Sequence, residues 1–108
     1  MDAVKARAIW TSNKKHTSVQ NAFKHFNDHG GDFSAENAVD YIRKAREFLH
    51  NPPAGVLTKI RDTGDVVRFD PVTETFGVMD KHGVPRTFYV PDPAEHGFPT
   101  NLDYFNAQ

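Results

Sequence analysis

The chain has 108 residues, 38% of them hydrophobic and 25% charged, which suits one soluble domain with a real core and leaves no room for a second. It contains no cysteine, so disulfides and thiolate metal sites are excluded, and no apolar run approaches the ~20 residues that a membrane-spanning helix needs. The formal net charge of −1 argues against a strong non-specific grip on nucleic acid, which comes from many Lys and Arg displacing counterions; RNA binding would need local positive charge.

Residues 1–16 carry Lys5, Arg7, Lys14 and Lys15 together with Trp10, with no apolar run of secretory type and no sustained period. They read as a leader, or the remnant of a linker to a larger polypeptide. From Ser18 the pattern changes. Val19, Ala22, Phe23 and Phe26 fall at i, i+3, i+4 and i+7, which predicts a helix capped by Thr17 or Ser18 and ended by Gly30-Gly31. On the helical wheel His29 sits at the edge of the apolar stripe, and His25 lies one step further toward the polar face.

Ser34 offers a cap for a second helix, Glu36 suits its first turn, and Ala38, Tyr41, Ile42, Ala45, Phe48 and Leu49 make a continuous stripe up to Asn51-Pro52-Pro53. Four strands are then predicted. Val56–Arg61 turns at Asp62-Thr63-Gly64, Asp65–Phe69 stops at Asp70-Pro71, Thr75–Met79 ends in Asp80-Lys81-His82-Gly83, and Arg86–Val90 closes at Pro91. Two helices and an antiparallel, roughly four-stranded meander imply an α+β domain over 17–108, with both helices on one face of the sheet and the other face free. Strand alternation puts Thr87 and Tyr89 on one side and Arg86, Phe88 and Val90 on the other. The tail from Asp92, rich in Pro, Gly and Asn, reads as an extended strap that returns Phe98, Tyr104 and Phe105 to the body.

Chemistry is concentrated in few places. His25 and His29 at i, i+4 have a metal-ligand spacing, but no accompanying Glu or third ligand stands at a telling distance, so no metal or other cofactor is expected. Structural histidines that cap and pack remain the plainer alternative. Asp32 either pairs with His29 or serves as a turn residue. Lys59, Arg61, Arg68 and Arg86, with Tyr89 among them, have the basic-plus-aromatic character of a single-stranded RNA surface, or form a solvated charged face.

The segments His25–Phe33, Gly64–Pro71, Arg86–Pro91 and Tyr104-Phe105, in that order, resemble the C-terminal nuclease domains of bacterial polymorphic toxins. These are the contact-dependent growth inhibition toxins and colicin D-like proteins of the barnase/EndoU/colicin/RelE-like fold group. The resemblance implies that His29, in His29-Gly30-Gly31-Asp32-Phe33, is the catalytic histidine, and that Thr87 and Tyr89 answer to the family's Ser/Thr-x-aromatic strand motif. Colicin D has a lysine directly before its histidine, whereas this chain has Asp28 there and Lys24 is the nearest cation. Arg68 and Arg86 are the replacements considered, with Lys59 and Arg61 further out.

The function implied is a metal-independent ribonuclease toxin that cleaves tRNA by 2′-OH transesterification to a 2′,3′-cyclic phosphate, with His25 in reserve for a second proton transfer. A cognate immunity protein covering the cleft is the implied partner, and the domain would otherwise be a monomer. It would be the C-terminal module of a larger secreted or cell-surface toxin, acting in the cytoplasm of the target cell. The competing reading is a noncatalytic module that binds protein or RNA through the same face.

Overall fold

A computed structural model describes residues 9–108. Its elements are α1 (Ser18–His29), a 3-10 turn (Gly30–Phe33), α2 (Ala38–His50), strands β1 (Leu57–Ile60), β2 (Val66–Asp70), β3 (Thr75–Met79) and β4 (Pro85–Tyr89), and two short helices, α3 (Pro93–His96) and α4 (Asn101–Asn106). The strands form one antiparallel sheet in the order β1-β2-β3-β4, an α+β fold with its longer helices N-terminal to the sheet. Among the described residues no helix is long and apolar enough to cross a membrane.

Thr17 caps α1 through a reciprocal capping box. Its hydroxyl accepts the Gln20 N–H at 3.2 Å, and the Gln20 side-chain oxygen accepts the Thr17 N–H at 2.9 Å. The helix is rotated from the face that its apolar spacing suggests. Ala22 is fully buried, but Val19 and Phe23 are each 52% exposed, and buried Asn21 takes an inward place. Trp10 is the cause. Its indole is fully buried against the helix, and the Asn21 amide donates to the Thr11 carbonyl at 2.9 Å. The side of α1 that carries Asn21 and His25 therefore faces the body. The segment 9–16, read as leader from sequence, thus contributes one of the largest buried side chains; residues 1–8 of that expected leader lie outside the described residues.

The cap of α2 is Asn37, which accepts the Asp40 N–H at 2.9 Å, rather than Ser34. Ser34 has φ 52°, a left-handed residue that ends the 3-10 turn and so has no helix to cap. Below α2, Gly77 allows a close approach to β3, since a Cβ there would lie 3.0 Å from Leu49 and 3.3 Å from Phe48. Trp10, Ala22, Tyr41, Ala45, Phe48, Leu49 and Phe88 make the core on this side.

The opposite face is not free, because the tail folds onto it. Asp92 caps α3, Thr100 caps α4, and Phe105 stacks on Phe69 with ring centroids 5.8 Å apart. Val67, Phe69, Phe76, Val78 and Phe105 form a second core there. Local capping turned the expected strap into helices, and burial of Phe105 holds them down.

β4 is an edge strand whose outer polar groups would invite another chain. The N-terminal elements occupy it instead. Pro85 O accepts from the Thr11 N–H at 2.9 Å, Arg86 O from the Trp10 indole at 3.0 Å and Phe88 O from the Tyr41 hydroxyl, while the Val90 N–H donates to Asp32 at 3.1 Å.

Candidate active site

His29 ends α1, and the chain turns sharply behind it. Gly30 lets that turn pass Phe26, since a Cβ at this position would stand 2.7 Å from the Phe26 ring. The turn is pinned by the Asp32–Val90 bond, so Asp32 acts by tying the end of α1 to β4. The pinning lays the His29 ring against Tyr89, with centroids 5.0 Å apart. His29 is half-buried at the C-terminal end of its helix.

Thr87 lies opposite Val78, and Tyr89 opposite Phe76, so both strand residues stand on the second face, as alternation predicts. Tyr89 meets Phe76 edge-on at 5.5 Å, and its hydroxyl is 2.7 Å from that of Tyr104 on α4. Burial, then the hydrogen bond with Tyr104, raises the Tyr89 phenol well above its ordinary range, with the Arg61 charge opposing. Tyr89 therefore stays protonated at working pH. Tyr104 in turn stacks on His96 at 4.4 Å, and the Asn101 side chain bridges His96, Glu74 and Pro91 O, so the Tyr89–Tyr104 pair has a fixed support.

Arg86 departs from the alternation. Met79 pairs with Pro85 and Val78 with Thr87, which leaves Arg86 as the extra residue of a bulge. The bulge releases it from the buried face of Phe88, and its Nε lies 3.7 Å from Asp65. Arg61 reaches the same carboxylate at 3.6 Å and donates to the Gln108 side chain at 2.6 Å. Lys59 donates to Asn106 O and Gln108 O, ending α4, and lies 6.0 Å from the Phe105 ring. Three of the cations picked out by sequence thus gather on or beside the second face, around Asp65 and the end of the chain.

Two other cations go elsewhere. Arg68 pairs with Gly77 on the helix-facing side, donating its Nε to Leu49 O at 2.7 Å and its Nη1 to Thr58 at 2.8 Å. It closes the C-terminal end of α2 instead of joining Thr87 and Tyr89. Lys24 is bound to Asp28 at 2.9 Å on the outer side of α1. Each position follows from one step of backbone period that side-chain type does not reveal.

His25 sits between Trp10, at 5.1 Å, and His29, at 5.8 Å. Its buried Nδ1 has no hydrogen-bond partner among the described residues. Burial, helped by His29 and Lys24, pushes its pKa down to about 4, against the weaker pull of Asp28, so the ring is neutral at working pH. Among the described residues no three His, Asp or Glu side chains converge as a metal set. Sequence reasoning missed Asp65, the carboxylate between the two arginines, and the contact of Tyr104 with Tyr89. Arg61 and Asp65 at i, i+4 across a turn were a faint signal for the first; for the second, the tail was expected to bring Tyr104 back to the body, but nothing named Tyr89 as its partner.

No family model and no curated protein matches the chain. Among solved structures it is similar to a ribonuclease from Escherichia coli complexed with its inhibitor protein, at 19% identity, covering 79% of this chain and 95% of that chain with a TM-score of 0.56. At this identity the two share a fold.

Proposed function

We propose that this chain is a metal-independent ribonuclease domain of the bacterial toxin type, acting on tRNA and held in check by an immunity protein. The reading is carried by one observation: an imidazole and a protonated phenol in ring contact, His29 on Tyr89, with Thr87 on the same strand face as the phenol. The fold shared with a ribonuclease supports it.

In the proposed reaction the substrate's 2′-oxygen bonds to the adjacent phosphorus as the bond from phosphorus to the 5′-oxygen breaks. A proton leaves the 2′-OH and one arrives at the 5′-oxygen, giving a 2′,3′-cyclic phosphate and a free 5′-OH. His29 takes the proton from the 2′-OH on an imidazole nitrogen, and the leaving 5′-oxygen takes its proton from solvent water. Thr87 and the Tyr89 phenol donate hydrogen bonds to the phosphate oxygens, and Arg86 and Arg61 stabilise the charge that builds there. Neutral, enclosed His25 supports the His29 ring instead of exchanging protons. Arg68 and Lys24 are left out, since their own partners hold them away.

Purified domain incubated with total tRNA tests this directly. Cleavage that leaves cyclic-phosphate ends and survives excess EDTA is expected. Intact RNA would return the domain to a binding module, and loss of cleavage on chelation, restored by Zn²⁺ or Mg²⁺, would replace the mechanism with a metal-dependent one. The immunity protein is expected to present Asp or Glu over Arg86 and Tyr89, so that Arg86→Glu weakens inhibition and cleavage together and inhibitor association slows as salt rises. The domain is proposed to be a monomer when free, carried at the end of a larger secreted or cell-surface protein and acting in the target cell's cytoplasm.

A further inference from the structure

We infer that the loop leading into α1 is a second RNA-contacting site, a groove that takes the phosphate backbone flanking the cleaved bond; the inference rests on the ribonuclease reading above. Two adjoining hollows carry it. One, of about 450 Å³, is lined by Ser12, Lys14, Lys15, His16 and Ser18 among others. The other, of about 240 Å³, shares Ser12 and Ser18 with the first and extends to Trp10 and Arg86. The two hollows meet at Ser12 and Ser18, with two lysines on one side and the candidate phosphate-binding Arg86 on the other.

The loop is held in place. Asn13 accepts the Lys15 and His16 N–H groups at 2.8 Å each, its own N–H donates to His16 O at 2.9 Å, and the Thr17 capping box fixes the far end. Trp10 and Thr11 anchor the near end to β4. Among the described residues neither lysine is in an ion pair, whereas Lys24, Arg43, Lys44, Arg61 and Arg86 all are. The one carboxylate lining the groove, Asp80, turns an oxygen inward to the His82 and Val84 N–H groups. Open hollows with two lysines outside any ion pair at one end, Arg86 at the other and the Ser12 and Ser18 hydroxyls between suit a chain of phosphates. They also answer the net charge, since a chain of −1 overall needs its positive charge gathered where RNA lies.

The test separates binding from cleavage. In a His29→Ala background, Lys14→Ala/Lys15→Ala is expected to weaken tRNA binding, read by fluorescence anisotropy, about tenfold. The slope of log affinity against log salt should flatten by roughly 1.4 to 1.8, the value for two lost phosphate contacts. Lys14→Arg/Lys15→Arg should restore both, and Arg43→Ala/Lys44→Ala on the outer side of α2 should change affinity less than twofold. In the active domain the loss of kcat/KM on tRNA should exceed that on a dinucleoside monophosphate, which is too short to span the groove. Equal affinity and equal salt slope in the alanine variant would overturn the groove, as would an equal loss from the α2 pair. If the parent domain cleaves neither RNA but the alanine variant still loses tRNA affinity, the groove stands and the nuclease reading falls.

Discussion

On the helix-facing side of the sheet, Phe88 stacks on Phe33 at 3.9 Å and Gly77 lets α2 settle onto β3, so aromatic rings and backbone meet without a gap. On the other side Phe105 covers β2, while Tyr89 and Thr87, half-buried on β4, stand at the open margin. The first face is sealed by long helices that cross it, the second by one short helix that covers only part of it. On the function proposed above, the difference separates stability from chemistry. A sealed face holds the strands in register; a partly sealed one gives polar tips a rigid floor and still admits a substrate.

The largest expected effect is on the open margin. His29→Ala should lower RNA cleavage by about 10²- to 10⁴-fold, the usual contribution of a proton-transfer group, while far-UV circular dichroism stays as in the parent. A folded, fully active variant would mean that the margin is not where the reaction occurs. Next come paired truncations of the two cores. Trp10→Ala on the first face and Phe105→Ala on the second should each cost about 3–5 kcal/mol in denaturant unfolding, as for buried aromatic rings elsewhere. A negligible cost at Phe105 would restore the free second face that the sequence suggested.

Tyr89→Phe tests the shared support more gently. Loss of the hydroxyl contact to Tyr104 should reduce stability by about 1 kcal/mol, and cleavage should fall more than that loss accounts for if the phenol touches phosphate. A fall in kcat/KM that merely tracks the unfolded fraction would make Tyr89 structural.

The last test concerns pH. The folded-state pKa of His25, about 4 against an ordinary 6.5, means that the unfolded chain binds more protons between those values. Its contribution to stability is full above pH 6.5 and is lost as pH falls through about 4. Urea unfolding across that window should show the loss in the parent and a flatter profile in His25→Phe. An unchanged profile would assign the acid sensitivity to other groups.

Local pattern determined much of this molecule. The period of Ala38 to Leu49 placed α2, turn residues placed the four strands, and alternation put Thr87 and Tyr89 on one side, because each of these is settled by neighbours within a few residues. Tertiary structure decided the rest. Whether α1 turns Phe23 or Asn21 inward depends on Trp10, whose indole fills the space beside the helix. Arg68 closes α2 because its place on β2 faces the helices, and Arg86 is an exposed cation because a bulge shifts the alternation of β4. The tail became two helices because Thr100 and Asp92 could cap them and Phe69 was waiting for Phe105. His29 could be named from the residues around it, but its contact with Tyr89, 60 positions away, exists only because Asp32 ties the end of one helix to the edge of the sheet.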